Sequence, residues 1–115
     1  MIEKIVFDYL RNNVGIPVYM EMPVDPPEEL VLIEKTGSGE ENHIQSAVFA
    51  IQSYGASLLR AAYINEMVKD AMRDIIVLPE ISRVDLNSDY NYTDTRTKKY
   101  RYQAVIGLIY KEVIT

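Results

Sequence analysis

Side chains able to do chemistry are few in this chain and poorly grouped. His43 is the single histidine and cysteine is absent, which removes thiolate nucleophiles, thiolate metal sites and disulfides. A zinc centre or a Ser-His-Asp triad would need distant carboxylates to converge on His43, and none stands at metal-ligand spacing from it. A structural or surface histidine is the expectation. Gly37-Ser38-Gly39 has the glycines of a phosphate cradle but lacks the lysine and following Ser/Thr of a P-loop. It also lacks the glycine spacing of a nucleophile elbow, so a tight hairpin turn is expected there. Glu28-Glu29 and Glu40-Glu41 are adjacent pairs, and neighbours on a strand face opposite ways, so neither makes a facing acid–base pair. Asp85 and Asp89 share a segment with Lys98 and Lys99, the ingredients of a two-metal nuclease, but at unspecific spacing. The expectation is therefore no catalytic residue, no cofactor, no metal site and no enzyme.

What remains is recognition chemistry. Tyr90, Tyr92, Arg96, Lys98, Lys99, Arg101 and Tyr102 gather rings and cations within one short segment, and these are the candidate assembly-interface residues. Tyr100, Tyr102 and Tyr110 share parity with Ala104, Ile106 and Leu108, so a strand here puts all six on one sheet face. Tyrosine with arginine is the composition of interface hot spots and of single-strand nucleic-acid platforms. The same rings also stabilise long hairpins through cross-strand pairs. A formal net charge of -5 weighs against nucleic acid and anionic membrane as general partners.

The charge is unevenly spread. From Met1 to Glu41 the acids Glu3, Asp8, Glu21, Asp25, Glu28, Glu29, Glu34, Glu40 and Glu41 face only Lys4, Arg11 and Lys35. Between Thr95 and Tyr102 stand Arg96, Lys98, Lys99 and Arg101 with no acid. Two such regions attract one another between copies, or are simply solvated surface.

The elements that must hold these groups follow from periodicity. The 115 residues, 48% hydrophobic, suit one domain spanning 1–115, large enough to fold without metal or disulfide staples. Ile2, Ile5, Val6, Tyr9 and Leu10 recur at helical spacing, and Asn12, Asn13 and Gly15 supply a left-handed end. Pro17 opens a strand, Val18 to Met22, and Pro23, Pro26 and Pro27 force an extended bend. A strand over Leu30 to Lys35, the glycine turn and a long strand over Glu41 to Tyr54 come next. Gly55 marks a switch to a helix capped by Ser57. Its expected apolar stripe is Leu58, Ala61, Ala62, Val68, Met72 and Ile75, with Arg60, Glu66, Lys69, Asp70 and Arg73 mostly opposite. After Pro79, strands over Ile81 to Leu86 and Tyr100 to Tyr110 are joined by residues 87–97, either a loop or the outer half of a long hairpin.

The fold expected is α+β: a mainly antiparallel sheet with a short N-terminal helix, one long helix covering one face, and a long C-terminal β-hairpin. Met1-Ile2-Glu3-Lys4 has no basic leader, and no run approaches the roughly 20 apolar residues of a membrane span. Soluble, intracellular synthesis without a membrane partner is the expectation.

Several phrases together resemble one family. They are Val31-Leu32-Ile33-Glu34-Lys35-Thr36-Gly37, Glu41-Asn42-His43-Ile44-Gln45-Ser46-Ala47, Ala50-Ile51-Gln52-Ser53-Tyr54, Leu86-Asn87-Ser88-Asp89-Tyr90-Asn91-Tyr92-Thr93-Asp94 and Thr97-Lys98-Lys99-Tyr100-Arg101-Tyr102-Gln103-Ala104-Val105. In this order, over nearly the whole chain, they resemble the tail-completion (tail terminator) proteins of long-tailed phages and prophages of Gram-positive bacteria. The resemblance implies a small α+β virion protein made in the host cytoplasm, without enzymatic activity or cofactor. Its copies form a ring, typically a hexamer, which caps the tail tube at the head–tail junction and meets the major tail tube protein and the head–tail connector proteins. The alternatives are a head-completion or connector protein, or a ring protein whose lumen contacts the passing nucleic acid.

Overall fold

A computed structural model describes residues 1–111. The elements are α1 (Ile2–Asn13), β1 (Val18–Tyr19), β2 (Leu30–Glu41), β3 (Ile44–Gly55), α2 (Leu58–Arg73) with a 3-10 turn (Asp74–Val77) behind it, β4 (Ile81–Asn91) and β5 (Tyr100–Tyr110). The sheet order is β1-β2-β3-β5-β4. Only the β1–β2 pair is parallel; the others are antiparallel. The expected α+β architecture is present, with a short N-terminal helix, a long helix and a C-terminal strand pair. No helix among the described residues is long and apolar enough to cross a membrane.

Strand alternation sorts the side chains. In β3, Ala47, Phe49 and Ile51 point to one face, and their partners across the ladder are Leu108, Ile106 and Ala104 of β5. Ile33 of β2 continues the Ile51 row. All of these are essentially buried. Against them α2 lays Ala61, Ile64, Val68 and Met72, and α1 lays Ile2, Val6 and Leu10. Each large apolar side chain buried this way contributes roughly 1.5–3 kcal/mol. Two polar contacts fix α1 in place: Tyr9 Oη donates to the Ala71 carbonyl at 2.7 Å, and Lys35 pairs with Glu3 at 3.1 Å.

The α2 stripe differs from its sequence reading. Ile64 is fully buried and Leu58 is 40% exposed. The helix closes on the sheet where Ala61 passes Gly55, so Leu58, a turn earlier, misses it. Lys69, expected among the solvent-facing charges, is 9% exposed, because the carboxylates of Glu66 and Asp89 meet its ammonium at 2.7 and 2.9 Å. Ser57 is the N-cap as expected, its Oγ accepting from Arg60 N at 3.1 Å.

Turn chemistry brings the main corrections. β2 continues through Gly37-Ser38-Gly39, which pair with Val48, Ala47 and Ser46 after a bulge at Thr36. No glycine has positive φ; the left-handed residues are Asn42 (53°) and His43 (66°). Two such residues in succession make the two-residue type I′ turn that matches strand twist, so the reversal lies at Asn42-His43 and β3 starts at Ile44. The α1 terminus also needs no left-handed residue. Val14 is extended, and Asn13 Nδ2 donates to the Tyr9 carbonyl at 2.7 Å, satisfying an end group that a left-handed cap would have met. β1 stops at Tyr19, short of Met22, as the chain heads into Pro23. In the last hairpin β4 runs to Asn91, and an Asp94–Lys99 bridge carries the pairing further, so residues 87–97 are largely the outer half of the hairpin.

Gly55 is where β3 and α2 come closest. A Cβ there would overlap Ala61 N and sit 2.7 Å from the Arg60 carbonyl carbon, whereas nothing lies within 4 Å of one at Gly15. Gly55→Ala should cost about 1–3 kcal/mol or more in urea unfolding, the usual range for overpacking, while Gly15→Ala leaves the midpoint nearly unchanged. Equal midpoints for the two variants would contradict this packing.

Candidate functional site

Both helices lie on the face that carries Phe49, Ile106 and their neighbours, and no helix among the described residues lies over the opposite face. Its outward positions form rows across the ladder. One row is Leu30, Tyr54 and Arg101; the next is Leu32, Gln52, Gln103 and Tyr90. The register of β3 with β5 and of β5 with β4 is what brings these residues side by side.

A closed circuit of polar contacts joins them. Arg101 Nη1 donates to Tyr54 Oη at 2.8 Å, and Tyr54 Oη donates to Gln52 Oε1 at 3.2 Å. Gln52 Nε2 donates to Gln103 Oε1 at 2.9 Å, and Gln103 Nε2 donates to Tyr90 Oη at 2.6 Å. Tyr90 meets Tyr92 edge to face, with ring centroids 5.9 Å apart. The guanidinium of Arg101 lies 4.5 Å from the Tyr92 centroid and donates from Nε to the Tyr92 carbonyl at 2.7 Å. Cation–π contact and hydrogen bonding of this kind lock rotamers that would otherwise be free. Tyr90 and Tyr92 are nonetheless 41% and 43% exposed. The result is a set of rings held in place by their neighbours.

Of the seven candidate interface residues, the fold brings together Tyr90, Tyr92 and Arg101. Tyr102 pairs with Ser53 and Asn91 on the helix-covered side. Arg96, Lys98 and Lys99 lie at the hairpin tip, where Lys98 takes a left-handed φ of 54° and the Asp94 carboxylate accepts from Arg96 N at 3.0 Å. That backbone hydrogen bond is the main reason the Asp94 pKa falls below its ordinary value. Lys98 and Lys99 border a cleft of about 270 Å³ whose floor is Met22, Pro26, Pro27 and Leu30.

Other residues considered for chemistry fall apart. Asp85 and Asp89 point to opposite faces of β4, because Asp85 sits opposite Gly107 and Asp89 opposite Ala104, with a bulge at Asn87 between them. Asp85 pairs with Arg83. Asp89 accepts from Lys69 at 2.9 Å and from Asn65 at 2.8 Å; chiefly the Lys69 hydrogen bond lowers its pKa. Glu29 is a clamp: Arg60 donates to its two oxygens at 3.0 and 2.9 Å, and Ala56 N donates at 3.2 Å. These bonds, Arg60 first, hold the Glu29 carboxyl at about 2, tying the entrance of β2 to the first turn of α2.

Sequence reasoning missed Gln52, Tyr54 and Gln103, whose partners are 47 and 51 residues distant. It also missed a second stripe on α2, Leu59, Tyr63 and Met67, which points away from the core and is 67%, 58% and 39% exposed. Their i, i+4, i+8 spacing was the available signal. No protein-family model and no curated protein matches this chain.

Two measurements follow. Tyr54→Phe breaks the circuit at its centre and should lower stability by about 0.5–1.5 kcal/mol in urea unfolding; no change would mean the circuit is not formed in solution. The Glu29 pKa is depressed on folding, so the stability it adds is present above its ordinary value of 4.5 and is lost as pH falls toward about 2. Glu29→Gln should destabilise the protein at pH 7 and flatten its acid loss across that window. An unchanged pH slope would contradict the clamp.

Proposed function

We propose that this chain is a phage virion structural protein, a tail terminator whose copies form a ring at the head–tail junction, capping the tail tube and meeting the head connector. The observation that carries this reading is the Tyr90–Tyr92–Arg101 cluster, ordered by its own contacts yet exposed on a sheet face that no helix among the described residues covers. It lies in the segment where the resemblance to tail-completion proteins is densest. Pre-ordered tyrosines lose little conformational entropy on docking, which is why they dominate interface energetics.

The shape of the subunit is compatible. Its longest dimension is 45 Å against 24 and 23 Å across, and the two hairpin tips stand at opposite ends of the strands. A ring closes through heterologous contacts, each joining two unlike surfaces of neighbouring copies. This subunit has unlike ends and unlike faces.

Purified protein mixed with tail tubes should appear at tube ends in electron micrographs and stop their elongation. Tyr90→Ser with Tyr92→Ser should weaken that binding roughly 30-fold or more, the scale of a lost hot spot, with the far-ultraviolet circular dichroism unchanged. Tubes that reach uniform length and join heads without this protein, or binding along tube walls instead of ends, would overturn the reading.

A further inference from the structure

The two ends of the long axis are chemically opposite. At one, the turn Asn42-His43 carries Glu40, Glu41 and Ile44 on the paired strand ends that flank it. Ile44 is 56% exposed. Glu41 has no charged partner among the described residues, and Glu40 has only the Gln45 amide at 3.4 Å. The φ values of Asn42 and His43 make this a two-residue turn, and the pairing of Glu41 with Ile44 puts one carboxylate beside the aliphatic side chain on one face of the tip, with Glu40 on the other face beside Gln45.

At the other end is the cleft of about 270 Å³ between the proline bend and the tip of the β4–β5 hairpin. Met22, Pro26, Pro27 and Leu30 make it apolar, and Lys98 and Lys99 stand at its border. Neither lysine has an ion-pair partner among the described residues. One carboxylate, Glu28, also lines the cleft, so the two ammonium groups outnumber it. An aliphatic side chain with a carboxylate beside it, on a tip that carries a second carboxylate, fits an apolar cleft bordered by ammonium groups, and this chain carries both halves.

We infer that the acidic β2–β3 tip of one copy seats in the lysine-bordered cleft of the next, with Ile44 entering the cleft, Glu41 beside it meeting Lys98 and Lys99, and Glu40 adding negative charge from the other face of the tip. The contact is heterologous: an open chain of copies keeps a free tip at one end and a free cleft at the other, so the arrangement propagates until it closes. It rests on the ring reading above and names the surfaces that make the ring. Because it needs no tube, it forms in concentrated protein alone. Charge steers the encounter, and the isoleucine in its cleft slows release.

Absence of cysteine makes the test direct. Glu41→Cys and Lys99→Cys proteins, each retaining the neighbouring charge, are mixed at about 1 mM, where a contact of roughly 4 kcal/mol is half occupied, and treated with a short thiol–thiol cross-linker. The expected main product is the mixed dimer, about tenfold over either symmetric dimer and suppressed in about 1 M salt. Ile44→Asp placed in the Glu41→Cys protein should reduce the mixed product about tenfold, while circular dichroism shows the fold intact. Predominantly symmetric products, no cross-linked product, or a yield indifferent to Ile44→Asp would overturn the contact, the last two leaving the cleft to some other occupant. If the cross-link fails while the protein still caps tube ends, the contact is wrong and the ring reading stands. If the cross-link forms but tube ends are not bound, the reverse holds.

Discussion

The structure depends first on the pairing of β3 with β5, in register from Gln45 opposite Tyr110 to Gly55 opposite Tyr100. These two interior strands share a ladder with no bulge in it, and their alternation decides which side of the sheet is core. Phe49, Ile51, Ile106 and Leu108 fall on one side, so both helices must pack there. The same register places Tyr54 beside Arg101 and Gln52 beside Gln103 on the other side. Core and circuit are thus two consequences of one alignment. A slip of one residue would exchange the faces and destroy both, since side-chain direction has period two.

The second face of the sheet is neither purely apolar nor loosely polar: Leu30, Ala50 and Tyr54 are buried on it, while Tyr90 and Tyr92 remain exposed. Arg101, Gln52, Gln103, Tyr54 and Tyr90 hydrogen-bond to one another through their side chains, and Tyr92 joins them through its ring and carbonyl. This matters for recognition, because side chains fixed in advance lose less freedom when a partner arrives. Charge is distributed on a different principle, along the strand axis, with Glu40 and Glu41 near one tip and Arg96, Lys98 and Lys99 at the other. The clamps Glu29–Arg60 and Asp89–Lys69 serve the fold instead: each fastens α2 to a strand or to the approach to one.

Local patterns were legible in the sequence where a single element decides the outcome. The parity of Ala104, Ile106 and Leu108 correctly puts them on one face of β5, which the structure shows to be the buried one, and Ser57 is correctly marked as a cap. The same parity already separates Tyr102 from Arg101, so the grouped aromatic and basic residues were bound to divide between faces. Glycine misled: Gly37-Ser38-Gly39 has turn composition, yet the left-handed positions belong to Asn42 and His43. Lys69 looked solvent-facing because helix periodicity alone does not reveal that Asp89 arrives from β4 to neutralise it. The circuit was out of reach for the same reason. Tyr54 and Arg101 are ordinary residues until strand register makes them neighbours, and no local signal specifies a pairing of strands separated by a helix and another strand.

Hydrogen exchange compared between the free protein and the protein seated at tube ends tests the central claim most directly, namely that the polar half of the β4–β5 ribbon is the surface used in assembly. The account predicts slowed exchange in the outer half of β4 and across residues 92–101. The outward side of α2 should change little. Slowed exchange confined to α2, with the ribbon exchanging as it does in the free protein, would contradict it.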